Sequence, residues 1–153
     1  TTFVSQHIVA DNPDRAHKGT VTSIIMTELV TVCIASLIFG FAPVAVRLFC
    51  SDEAVLAAGA GFLRTNVFFL LFNCITHVLS GSLRGRGDST GPMIIMLAGM
   101  VGIRQIYLYI VTHFILNTAK VVGFGYPVGW TTTSMMMVIY FFVKGYGKVK
   151  KEA

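Results

Sequence analysis

Four long apolar stretches, 20–49, 54–83, 92–116 and 121–143, fill most of this chain, and the widest polar interval between them is the eight residues 84–91. A helix crosses the hydrocarbon core of a bilayer with about 20 predominantly apolar residues. Each stretch reaches that length, and none alternates polar with apolar as a half-buried strand would. In lipid the backbone N–H and C=O groups must be satisfied internally, which favours helices over open strands. The expected fold is therefore an all-α membrane protein, a bundle of four transmembrane helices preceded by the end of another helix. The composition agrees, because only 12% of residues are charged where a soluble domain carries roughly a quarter. The first two stretches are long enough to cross with tilt, and Pro43 is expected to kink or end the first.

The connections are 11–18, 51–53, 84–91, 117–120 and a tail, 144–153. Four crossings place the first, the third and the tail on one side, which collects Arg15, Lys18, Arg84, Arg86, Lys144, Lys148, Lys150 and Lys151. The other side holds only Arg47 and Lys120. Basic residues favour the cytoplasmic side, so the C-terminus is expected there, with Tyr126 and Trp130 anchoring the outer end of the last helix. The net charge of +5 is explained by these flanks and needs no nucleic acid partner.

The turn 84–91 has local logic of its own. Arg84 complements the carbonyls at a helix C-terminus and Asp88 the next N-terminus. Gly85 and Gly87 permit positive φ, and Pro92 suits the first helical position. Arg86-Gly87-Asp88 spells an adhesion tripeptide, but its cytoplasmic placement removes that role. Cys33, Cys50 and Cys74 match neither a disulfide framework nor a zinc pattern and read as small buried packing residues. The chain starts Thr1-Thr2-Phe3, without methionine or a signal-type segment, and is expected to be a piece of a longer protein.

An ordered set of short motifs sharpens this reading. Thr2-Phe3-Val4-Ser5-Gln6 precedes Arg15-Ala16-His17-Lys18-Gly19, followed by Leu48-Phe49-Cys50-Ser51-Asp52 and Phe62-Leu63-Arg64. Leu83-Arg84-Gly85-Arg86-Gly87-Asp88-Ser89 then leads into Pro92-Met93, and Gly125-Tyr126-Pro127-Val128-Gly129-Trp130 closes the series. In order and spacing the set resembles the C-terminal part of the multidrug and toxic compound extrusion (MATE) transporters, over essentially the whole chain. The resemblance implies part of the C-terminal six-helix lobe of a twelve-helix plasma-membrane transporter: the end of its eighth helix and helices nine to twelve. It also implies exchange of sodium or protons for small organic, cationic substrates, with no other cofactor, and an N-terminal part of the same transporter as partner. The chain departs from the pattern at His7-Ile8-Val9-Ala10, where many members have Asn-Ile-Gly-Ala. It also has no Asp or Glu in 54–83, where some members place a cation-binding acid.

Ionisable groups at membrane depth are the candidate functional residues, since each costs at least ~2.5–3.5 kcal/mol against lipid. At ~1.5 Å per residue, Glu28, Arg64 and Arg104 all fall near mid-membrane. Glu28 has two readings: a proton or cation carrier, or a structural ion pair with Arg64 or Arg104. Along one continuous helix, Asn66, Asn73, His77 and Arg84 fall within about 20° of a common line, with Ser80 nearby and Arg64 opposite. This stripe either lines a substrate cavity, together with Arg104 and Gln105, or hydrogen-bonds neighbouring helices as packing glue. Arg84, Arg86 and Asp88 are assigned to topology rather than chemistry. His113 reads as an interfacial hydrogen-bonding residue, the 135–137 methionines as filler, and Gly125 and Gly129 as sites of close helix contact. The expected activity is secondary-active multidrug efflux by alternating access, without enzymatic chemistry. The alternatives are a lipid-linked oligosaccharide or polysaccharide flippase and a non-transporting membrane scaffold subunit.

Overall fold

The computed structural model describes residues 1–49, 51–115 and 119–145. Cys50, Asn117 and the tail lysines Lys148, Lys150 and Lys151 lie outside them. The described residues are helical and contain no strand. In order they form α1 (Thr2–Val9), α2 (Pro13–Arg47), α3 (Glu53–Val67), α4 (Leu70–Gly85), α5 (Thr90–Met96), α6 (Arg104–Ile110), α7 (Ala119–Gly123) and α8 (Gly125–Gly145). Two π-helical stretches, Leu97–Ile103 and Val111–Ile115, join α5 to α6 and extend α6.

Two helices, Pro13–Arg47 and Thr90–Phe114, are each long and apolar enough to cross a membrane. A third crossing is made by α3 and α4 if the pair, bent by 43°, is taken as one span. The expected span 121–143 is divided between α7 and α8. With 21 residues α8 has spanning length, but it is not among the helices whose hydropathy reaches that of a membrane span. The physical reason is its position: Thr133, Ser134, Met137 and Phe141 are buried against α4 and the third span. A helix enclosed by protein can carry hydroxyls, and Thr132 and Thr133 satisfy theirs by donating to Val128 O and Gly129 O.

Three further expectations about the spans are corrected. The stretch 54–83 is not one helix but breaks at Phe68 and Phe69. Just before the break, Thr65 Oγ1 donates to Gly61 O (2.9 Å) and Asn66 Nδ2 to Phe62 O (2.9 Å). Side chains that bond back to i−4 carbonyls compete with the backbone ladder and bend helices. Of the two outcomes expected at Pro43, a kink or an end, the end does not occur, since α2 continues to Arg47. Cys33 is exposed rather than buried, while Cys74 is half-buried beside Thr31.

The packed core lies towards the end of the bundle that carries the 84–91 turn, where Leu79, Leu83, Ile95, Met137 and Phe141 meet. The turn itself is a Schellman motif: Asp88 N donates to Leu83 O and Gly87 N to Arg84 O. Gly87 takes the positive φ of 88° that this motif needs. Gly85 is helical instead, and its role is clearance, since a Cβ there would come within 2.6 Å of Thr1 O and 2.9 Å of Val4 Cβ. At the opposite end Asp52 caps α3, its Oδ1 accepting from Ala54 N at 2.8 Å.

Candidate functional site

The register of α2 on α4 is fixed by two polar contacts. Thr20 Oγ1 and Ser82 Oγ are hydrogen-bonded at 2.8 Å, and Thr31 Oγ1 lies 3.2 Å from Cys74 Sγ. The helices are therefore antiparallel, and Glu28, between the two contacts on the flank of this interface, stands level with the 73–77 turn of α4. Glu28 Oε1 is buried and accepts no hydrogen bond; Asn73 Oδ1 is likewise buried without a donor. Two oxygen acceptors without donors thus occur within about one helical turn of each other along the bundle. An acceptor left in this state costs about 1–3 kcal/mol.

The ion pair expected between Glu28 and Arg64 or Arg104 does not form. Arg64 Nε donates to Phe39 O (3.2 Å), and its guanidinium lies 5.3 Å from the Phe39 ring centroid. Phe39 is eleven residues beyond Glu28 on α2, or roughly 16 Å along the axis. Arg104 places its guanidinium 3.9 Å from the Tyr126 ring centroid. Both cations are thus held on aromatic faces, which desolvate a guanidinium more cheaply than a buried carboxylate would. The one salt bridge among the described residues is Lys144 to Asp88 (3.2 Å), outside the spans.

The expected stripe is divided by the break at Phe68 and Phe69. Asn66 belongs to α3, is 8% exposed, and leaves its Oδ1 without a partner. Asn73 is half-buried on α4, whereas His77 and Arg84 lie on the exposed side of that helix. Arg84 Nε reaches back to Ser80 O (3.4 Å), and Ser80 Oγ donates to Met96 Sδ (3.7 Å). Ser80 and Arg84 line a groove of ≈ 390 Å³ between α4 and the third span, with Pro92, Met96 and Leu97. Gln105 is exposed in a shallow apolar groove with Tyr109 and Thr112. His113 Nδ1 is 3.1 Å from Tyr109 O, and its ring stacks on Tyr109.

Asp88 does more than mark topology. Its Oδ1 accepts from Gly91 N (3.1 Å), and its Oδ2 accepts from Tyr140 Oη (2.6 Å) and Lys144 Nζ (3.2 Å). These donors hold the Asp88 carboxyl below the usual carboxylate range, the Tyr140 hydroxyl contributing most. Arg86 sits over the Phe141 ring (5.1 Å). The turn is thereby tied to α8, and Gly91 lies so close to Tyr140 that a Cβ there would overlap its phenol.

Several of these partners were not visible in the sequence. Tyr140 and Thr133 lie more than thirty residues from Asp88 and Gly99, and only the alignment of α8 between α4 and the third span brings them together. Gly99 offered the one available signal, a glycine inside an apolar helix; a Cβ there would overlap Thr133.

A family model, MatE, matches residues 1–110, from α1 to the end of α6. No curated protein and no solved structure matches the chain.

Proposed function

Since the chain belongs to the MatE family of membrane transporters, we propose that it is the C-terminal portion, 1–153, of the C-terminal lobe of a secondary-active antiporter. That antiporter expels small organic cations in exchange for sodium or protons. Two lobes rock about a mid-membrane site, and ion and substrate favour opposite-facing states. Family membership speaks against the scaffold reading, and no feature of the bundle favours the flippase. With the basic 84–91 turn and tail on the cytoplasmic side, the break at Phe68 and Phe69 falls within the membrane.

The observation that carries the coupling role is Glu28. It is the acidic residue inside an apolar span, it has no cationic partner, and its Oε1 lacks a donor. A sodium ion would be coordinated by that oxygen, and a proton would neutralise it. His77 and Arg84, on the exposed side of α4, are proposed to face the substrate path, together with Asn73 on the same face of the helix. The test is ion-gradient-driven export of a cationic dye by the full transporter in proteoliposomes, comparing wild type with Glu28→Gln. Loss of gradient dependence with an unchanged melting temperature is expected. Wild-type coupling in Glu28→Gln would remove Glu28 from the mechanism.

A further inference from the structure

The break between α3 and α4 opens a cavity of ≈ 250 Å³ whose wall is drawn from α2, α3, α4 and α8. Phe62, Leu70, Tyr126, Trp130 and Ile38 make it almost wholly apolar, and Asn66 is its polar lining residue. The amide orientation of Asn66 is set by the bond from Nδ2 to Phe62 O, which leaves Oδ1 as a shielded acceptor with no donor from the protein. Oδ1 is covered as the side chain stands, so a donor reaches it as the Asn66 amide turns towards the cavity, and an acceptor without a partner gains from that donor. Tyr126 and Trp130, one helical turn apart with centroids at 5.7 Å, present aromatic surface to the same space.

Charge narrows the occupant. Among the described residues no acidic side chain lines the cavity. Arg104 is stacked on Tyr126, and Arg64 lies over Phe39, next to the lining residue Ile38. Glu28 is ten residues from Ile38, roughly 15 Å along α2. A cationic group entering here would meet two guanidinium charges with no compensating acid. We infer that this cavity binds an uncharged aromatic group carrying one O–H or N–H donor, the donor pairing with Asn66 Oδ1 and the ring packing on Tyr126 and Trp130. At this volume it holds a single ring system, since sites for whole drug-sized ligands start at roughly 300 Å³. It is thus a site separate from Glu28, and selective in the opposite sense of charge from the substrates proposed above.

The experiment measures equilibrium binding, so its result is independent of whether the protein transports by the proposed route. The full transporter in phosphatidylcholine nanodiscs is titrated with β-naphthol, with its methyl ether, which lacks the donor, and with naphthylmethylammonium, which adds a charge. Saturable binding of β-naphthol, one per chain, is expected, with both analogues at least about tenfold weaker, as loss of one hydrogen bond implies. In Asn66→Leu, β-naphthol is expected to bind no better than its ether. The ligand comparison on the wild type stands even if that variant folds poorly. Equal binding of β-naphthol and its ether overturns the inference, as does preference for the ammonium compound. Uptake no greater than in empty nanodiscs overturns it too, and leaves the cavity to lipid chains.

Discussion

The phenol of Tyr140 donates a 2.6 Å hydrogen bond to Asp88 Oδ2, joining the 84–91 turn to the last helix across a separation of 52 residues. The same oxygen accepts from Lys144, while Asp88 Oδ1 caps the start of α5. Asp88 therefore connects three elements, and its charge state governs all three connections.

Asp88 has a lowered pKa in the folded protein, so it contributes stability that is present above its unfolded value, about 3.9, and lost as pH falls through the lower folded value. Melting of the wild type is expected to worsen as the pH drops below about 4, and melting of Asp88→Asn to change less over that interval. Tyr140→Phe is expected to cost about 1 kcal/mol, because Gly91 and Lys144 remain as donors. Thermal unfolding of the single and double variants from neutral to acid pH checks both statements; additive effects would show that the two side chains act independently.

Gly99 and Thr133 are in such close contact that a Cβ at position 99 would lie 2.9 Å from Thr133 Cβ and overlap its hydroxyl. Gly99→Ala is expected to destabilise the protein by about 1–3 kcal/mol through overpacking. Gly40→Ala, where a Cβ meets nothing within 4 Å, is the control. It is expected to be neutral or to stabilise by about 0.5–1 kcal/mol, as a helix-interior glycine loses its entropic cost. Melting temperatures in detergent measure the contrast.

Arg104 depends on the face of Tyr126 rather than on an acid. Tyr126→Phe keeps that face and is expected to melt near wild type, whereas Tyr126→Leu removes it and is expected to cost about 2 kcal/mol. Arg104→Lys is expected to fall between them, since an ammonium does not stack as a planar group. The order of the three melting temperatures is the test.

Asn66→Leu removes an acceptor that has no donor, so the substitution is expected to leave stability unchanged or to raise it. The same change at Thr20, whose hydroxyl meets Ser82 in the interior, leaves a partner unsatisfied and is expected to cost about 1–3 kcal/mol. Chemical-denaturation midpoints of the two variants distinguish a cavity-lining residue from interhelical glue.

Much of this architecture was legible from hydropathy and turn chemistry. Two of the four expected spanning helices, the helical fold class and the cap at Asp88 follow from apolar length and from residue types at the turn. The break in 54–83 was not legible, because Thr65 and Asn66 only bend a helix when their side chains turn back to i−4, and that choice is made by packing. An assumed straight helix placed Asn66 with His77, whereas the bend assigns them to different surfaces. The Glu28 ion pair failed for a related reason. Depth along separate helices brought Glu28 and the arginines to one level, but the pairing of Arg64 with Phe39 shows that the helices are offset. Aromatic partners for arginines in apolar segments carry no charge signal, so charge counting alone could not find them.

Taken as one span, α3 and α4 divide the labour at their 43° bend. Below it, α4 shares one block with the third span and α8, closed by Leu83, Met137 and the Asp88 contacts. Above it, α3 is fastened chiefly to the far half of α2, through Arg64 and Phe39 and through Gly59, where a Cβ would press on Val46. Rotation about Phe68 and Phe69 would work as a lever whose fulcrum lies within the bilayer, widening the bundle at one face while the other stays clamped.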